Sequence, residues 1–121
     1  MNTTLNHINL SVAEVAPIAR FFQQVFAFRI IHEQGSSFAV LSGADGFVLT
    51  LMIDKSVTDE TYPRNFHIGF FQPDKAAVEQ LHARILELGF DAPAPGILRT
   101  NTFGFYASAP GRILVEVSTN I

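Results

Sequence analysis

The sequence predicts an α+β fold of two tandem βαβββ modules, and three observations carry that prediction. Two stretches of helical periodicity each follow one short strand and precede three more. A polar segment, residues 54–64, divides the chain near its midpoint. Landmark residues then recur across that divide at an offset drifting from 60 to 65 positions, as loops of unequal length require. A repeat of that length is too long for a solenoid and indicates two fused modules. They span 1–56 and 65–121, joined by a linker at 57–64, within one 121-residue domain. Side by side, two such modules would enclose a cleft between curved mixed sheets.

Residues 5–12 read as a strand, with Ile8, Leu10 and Val12 on one parity and Leu5, His7, Asn9 and Ser11 on the other. A helix is predicted over 15–27, where Ile18, Phe21, Phe22, Val25 and Phe26 form an apolar stripe and Pro17 suits the first turn. Strands at 29–33, 37–41 and 47–53 follow, separated by Gln34-Gly35-Ser36 and by the Gly-rich turn 42–46. The order then restarts. A strand is predicted at 65–71 and a helix at 74–88, with Val78, Leu81, Ile85 and Leu88 on one face and Gly89 as its stop. A Pro/Gly connection at 90–96 leads to strands near 97–101, 103–108 and 112–118. His7 registers with His67, Ala27-Phe28 with Gly89-Phe90, and Gly46 with Gly111.

Composition removes several classes of function. Apolar residues make up 48% of the chain and charged residues 16%, ample for a core. Net charge is −3 with no Lys/Arg cluster, which argues against a nucleic-acid partner. The opening MNTTLNHINLSV has neither a basic n-region nor a long apolar run, so no signal peptide or membrane span is expected and a cytoplasmic location is. With no cysteine there is no disulfide, thiolate nucleophile or Cys-based metal site. Twelve Phe supply core and pocket walls.

An ordered set of motifs then covers nearly the whole chain. HINLSVAEVAPIARFFQQVFAF at 7–28 is a His-led strand, an acidic residue before a helix, an aromatic pair within it and a Phe at its end. The second half supplies FHIGF at 66–70, ARILELGF at 83–90 and FYASAPGRILVEV at 105–117. Together they resemble the vicinal oxygen chelate superfamily of glyoxalase, bleomycin-resistance and extradiol-dioxygenase proteins. Ala27 stands where that pattern has Gly, and Ala109-Pro110-Gly111-Arg112 replaces its Asp-Pro-x-Gly turn.

The resemblance implies a divalent metal (Mn, Fe, Ni or Zn) held by His7, His67 and Glu116. Strand parity supports the set, since each of the three lies opposite an apolar face and would point into the cleft. Two imidazoles and a carboxylate leave coordination positions open for substrate or water. Glu116, in mid-strand near the end of an apolar run, needs a partner if buried. Glu116 and Tyr106 are the catalytic candidates, and Asn9, Phe47, Leu49, Leu51, Arg99, Thr100 and Tyr106 are the expected substrate contacts. Arg112 is a second candidate anchor for a carboxylate. His32 and His82 read as solvated surface residues.

Aligning Gly46 with Gly111 places Leu51 opposite Glu116 in the first module. Leucine cannot ligate, so four-ligand glyoxalase I chemistry is not expected. Asn9, Thr100 and Tyr106 match the fosfomycin-resistance branch in part, but Gly96 stands where that branch has Lys and no Arg follows Glu116. Two readings remain: a metal-dependent enzyme acting on a small substrate chelated through adjacent oxygens, and a non-catalytic binder of the bleomycin-resistance kind. The resemblance also implies a homodimer.

Overall fold

A computed structural model describes all 121 residues, which divide into two compact units, 1–61 and 62–121. In the first, β1 (His7–Val12) leads into α1 (Ala16–Phe26), followed by β2 (Arg29–Gln34), β3 (Phe38–Ser42) and β4 (Val48–Ile53). Its sheet has the order β1-β4-β3-β2, with β1 parallel to β4 and the other pairs antiparallel. The second unit repeats the plan. It comprises β5 (His67–Phe71), α2 (Lys75–Glu87), β6 (Gly96–Arg99), β7 (Thr102–Ala109) and β8 (Ile113–Asn120), in the order β5-β8-β7-β6 with β5 parallel to β8. The fold is thus α+β, two βαβββ modules.

The apolar stripe of α1 is buried as its periodicity requires: Ile18, Phe21, Phe22 and Val25 are inaccessible to solvent. Phe21 meets Phe22 edge-on at 5.6 Å, and Phe22 meets Phe28 at 5.7 Å. The helix has no side-chain N-cap, and Pro17 occupies its first turn. It ends on Ala27 in the left-handed conformation (φ 57°, ψ 29°), whose N–H donates to the Phe22 carbonyl. An L-residue with a Cβ is disfavoured there, whereas glycine is not. Ala27→Gly is therefore expected to stabilise the protein by about 0.5–1 kcal/mol, raising Tm by about 2–5 °C in a thermal melt.

In the second unit Asp74 caps α2, its carboxylate accepting from the Ala77 N–H at 2.9 Å. The helix packs on β7 and β8 through Val78 and Ile85. Leu88, assigned by periodicity to that face, is 37% exposed, because the regular turns stop at Glu87. Leu5 lies outside β1 and is exposed. Residues 110–112 form a 3₁₀ turn before β8. No helix is long and apolar enough to cross a membrane.

Candidate functional site

In the second unit three adjacent strands present one residue each at the same level: Gly69 on β5, Glu116 on β8 and Tyr106 on β7. Their neighbours Val115, Val117, Phe105 and Ala107 turn to the other face and are buried there. Gly69 has no side chain, and a Cβ there would meet nothing within 4 Å. His67, two residues earlier on the same face of β5, reaches across to the Glu116 carboxylate. From the far side Arg99, at the end of β6, forks back.

Glu116 is only 4% exposed and accepts four hydrogen bonds. Its Oε1 accepts from the Tyr106 hydroxyl at 2.6 Å and Arg99 Nη1 at 3.2 Å, and its Oε2 from Ser118 Oγ at 2.8 Å and Arg99 Nη2 at 3.1 Å. Arg99 Nη1 also donates to the Tyr106 oxygen at 3.2 Å. No buried side-chain nitrogen or oxygen in the chain lacks a partner, so the cost of burying the carboxylate is met within the unit. Burial pushes its pKa up. Hydrogen bonds from Arg99, Tyr106 and Ser118, together with the Arg99 charge, outweigh that and hold it at about 2. The bond to Glu116 pushes the Tyr106 hydroxyl above its ordinary value, so Tyr106 is protonated at neutral pH. Hydrogen bonding to Glu116 raises Arg99 in turn.

His67 Nδ1 lies 2.9 Å from the Asn65 carbonyl, which can only accept, so Nδ1 carries the proton. A neutral ring then turns the Nε2 lone pair toward Glu116 Oε1, 3.7 Å away. Two ligands of a first-row divalent ion at about 2.1 Å lie roughly 3.0–3.4 Å apart, so a shift of a few tenths of an ångström gives the pair a metal bite. The Nδ1 anchor is the kind of outer contact that orients a ligating histidine. The His67 ring also stands edge-on to Tyr106 at 5.5 Å.

In the first unit His7 and Asn9 share the exposed face of β1. His7 Nδ1 lies 2.7 Å from Asn6 Oδ1, which again leaves Nε2 outward. The Thr50 hydroxyl donates to Asn9 Oδ1 at 2.8 Å, so the Asn9 amide keeps its N–H donors for other partners. The chain gathers no cluster of three His, Cys, Asp or Glu side chains that could hold a metal ion.

Several expected residues fall elsewhere. Leu49 and Leu51 pair with Ile8 and Leu10 and are buried on the core face, so they do not line a site beside His7. Val48 and Thr50 take that place. Thr50, paired with Asn9 as Glu116 is with Gly69, is the counterpart of Glu116; Leu51 is not. The Gly46–Gly111 alignment slips because the 3₁₀ turn adds one residue, Val48 following Gly46 by two positions and Leu114 following Gly111 by three. Phe47 precedes β4, half-buried in the turn, where its carbonyl accepts from Gly43. Thr100 occupies the exposed β6–β7 turn beside Arg99. Arg112 is exposed in the 3₁₀ turn at φ 60°. His82 is half-buried, 5.2 Å edge-on to Phe105 and bonded to the Ala92 carbonyl at 3.1 Å, not solvated. His32 is exposed on the edge strand β2. Ser118 went unremarked in the sequence, although its spacing of two from Glu116 places it on the same face.

The chain matches the profile of the Glyoxalase/Bleomycin resistance protein/Dioxygenase superfamily over residues 4–117. The protein belongs to that superfamily. A solved structure described as a possible glyoxalase from Bacillus cereus is 36% identical, with TM-score 0.83, covering 96% of this chain and 98% of that one. The fosfomycin resistance protein FosX of Listeria monocytogenes is 22% identical, with TM-score 0.79, covering 100% and 96%. Another structure of the Listeria protein, 23% identical with TM-score 0.74 and covering 97% and 92%, holds Mn(II) and 1S,2S-dihydroxypropylphosphonic acid. At these lower identities the likeness is one of fold. No curated protein matches the chain. Thr50 of β4 stands where Glu116 stands on β8, each paired with the residue two after the strand's histidine.

Proposed function

We propose that the protein is a divalent-metal-dependent enzyme acting on a small substrate chelated through two neighbouring oxygens. The observation that carries this reading is the His67–Glu116 pair, with the imidazole tautomer fixed by Asn65 so that Nε2 faces the carboxylate. His7, whose Nε2 is likewise left outward, is the third ligand, supplied by the same chain or by a second copy in a homodimer. His7, His67 and Glu116 would hold a Mn, Fe, Ni or Zn ion, which would supply Lewis-acid stabilisation of charge on the chelated oxygens.

The remaining roles belong to the chain's own groups. The Tyr106 hydroxyl donates its proton in a hydrogen bond to Glu116 Oε1 and is the group placed to give it to a substrate oxygen. Asn9 offers amide N–H donors to orient the substrate. Thr50 replaces a fourth strong ligand, which directs the site away from four-ligand glyoxalase I chemistry. Protein purified without an affinity tag and equilibrated with Mn(II), Fe(II), Ni(II) or Zn(II) is expected to carry about one ion per chain. His67→Ala is expected to lose that ion while keeping its far-UV circular dichroism. Wild-type protein that takes up none of the four would overturn the reading.

One observation favours the second reading, a non-catalytic binder of small molecules: Glu116 is fully hydrogen-bonded by Arg99, Tyr106 and Ser118. Under it, aromatic cationic drugs raise the melting temperature and divalent metals do not.

A further inference from the structure

We propose that Arg99 is a tethered cation that holds the Glu116 carboxylate until a divalent ion replaces it, and that the displaced guanidinium then binds an oxyanion group of the substrate. Metal and anionic substrate are thereby coupled. The proposal rests on the metal-centre reading and deepens it by naming the substrate class, an oxyanion such as a carboxylate or phosphonate.

A carboxylate offers about four lone-pair sites, and all four are taken. A metal joining His67 and Glu116 must therefore evict one donor. Tyr106 and Ser118 make the short bonds, 2.6 and 2.8 Å, from compact side chains fixed on β7 and β8. Arg99 makes the two longest, 3.2 and 3.1 Å. Its side chain is 52% exposed, on a long flexible stem at the end of the edge strand β6. It is also the group whose charge becomes redundant when a divalent ion arrives. Arg99 is thus the donor that leaves, and its backbone keeps it beside the site. A released guanidinium next to a metal centre presents a planar fork suited to a two-oxygen anion. Engaging that anion offsets the loss of the Glu116 contact, so each ligand favours the other, and the coupling is reciprocal.

The test is a titration with Mn(II), free ion being read by electron paramagnetic resonance against protein-free blanks, with and without inorganic phosphate as the anion probe. Arg99→Gln is expected to bind Mn(II) about tenfold more tightly than wild type. Phosphate is expected to tighten wild-type Mn(II) binding by about fivefold or more and to leave Arg99→Gln unchanged. Arg99→Lys, which keeps the charge without the fork, is expected to bind Mn(II) more tightly than wild type and to retain a phosphate response. It decides the matter if Arg99→Gln does not fold. A folded variant that binds Mn(II) no better than wild type, or a wild type indifferent to phosphate, overturns the proposal and leaves the metal centre standing. Absence of Mn(II) binding in every form overturns both.

Discussion

Glu116→Gln is expected to cut metal affinity by at least about 100-fold and to flatten the acid limb of the protein's stability curve. The first effect follows from the proposed metal centre, in which the substitution replaces an anionic ligand with a neutral amide beside His67. The second follows from linkage. Glu116 has an ordinary pKa of 4.5 in the unfolded chain and about 2 in the fold, so the unfolded state takes up its proton first as pH falls. The stabilisation is complete above about pH 5, declines as pH falls through the interval from 4.5 to about 2, and is gone below it. For a carboxylate this well buried, the gap is worth about 3 kcal/mol at pH 7. Glutamine cannot replace it, because its NH₂ must face a donor: Tyr106 and Arg99 on one side, or Arg99 and Ser118 on the other. Urea denaturation of wild type and variant at pH 7 and pH 3 checks this. The difference is expected to be large at pH 7 and to shrink at pH 3; parallel losses at both would mean that the carboxylate's charge is not what stabilises the unit.

The two-module plan was legible because period and parity are local properties that survive folding. Ile8, Leu10 and Val12 share a face in the sequence and in the structure, and so do the buried residues of α1. The need of Glu116 for a partner was equally legible, since a mid-strand carboxylate among valines has few alternatives. The partner's identity was not. Arg99 reaches Glu116 only after a two-residue turn at Thr100 and Asn101, with Asn101 at φ 63°, and after a register shift in β6 between Ile97 and Arg99. Neither leaves a periodic trace, so the sequence offers Arg99 as a substrate contact and not as the partner of Glu116. The misplacement of Leu51 has a related cause. Strand faces alternate with a period of two, so one extra residue in the turn before β8 exchanges the faces of every residue aligned across it. His82 was misjudged because its neighbours on α2 are charged, while what covers it, Phe105 and the carbonyl of Ala92, lies on other elements.

Gly104→Ala is expected to be the most damaging single-methyl change in the second unit. Gly104 pairs with Ser118 where β7 crosses β8, and a Cβ there would meet the Val117 carbonyl oxygen, with Ser118 Cα at 2.7 Å and Ser118 Cβ at 2.8 Å. Two of those three atoms are backbone, so no rotamer change relieves the clash and the strands must part. Overpacking that moves backbone costs about 3 kcal/mol or more, a fall in Tm of about 10 °C or beyond for a domain of this size. The damage passes directly to the site, because Ser118 donates to Glu116 and Tyr106 follows Gly104 by two residues on the same strand. Under the proposed metal centre, metal affinity should therefore drop along with stability. Gly69→Ala is the matched control. Gly69 also sits in a strand, opposite Glu116, but its added Cβ meets nothing within 4 Å and its φ is not positive. That variant is expected to melt within a few degrees of wild type. A comparison of the two melts therefore separates loss of glycine from loss of interstrand space: equal shifts would refute the close approach of β7 and β8, and a large shift for Gly104→Ala alone supports it.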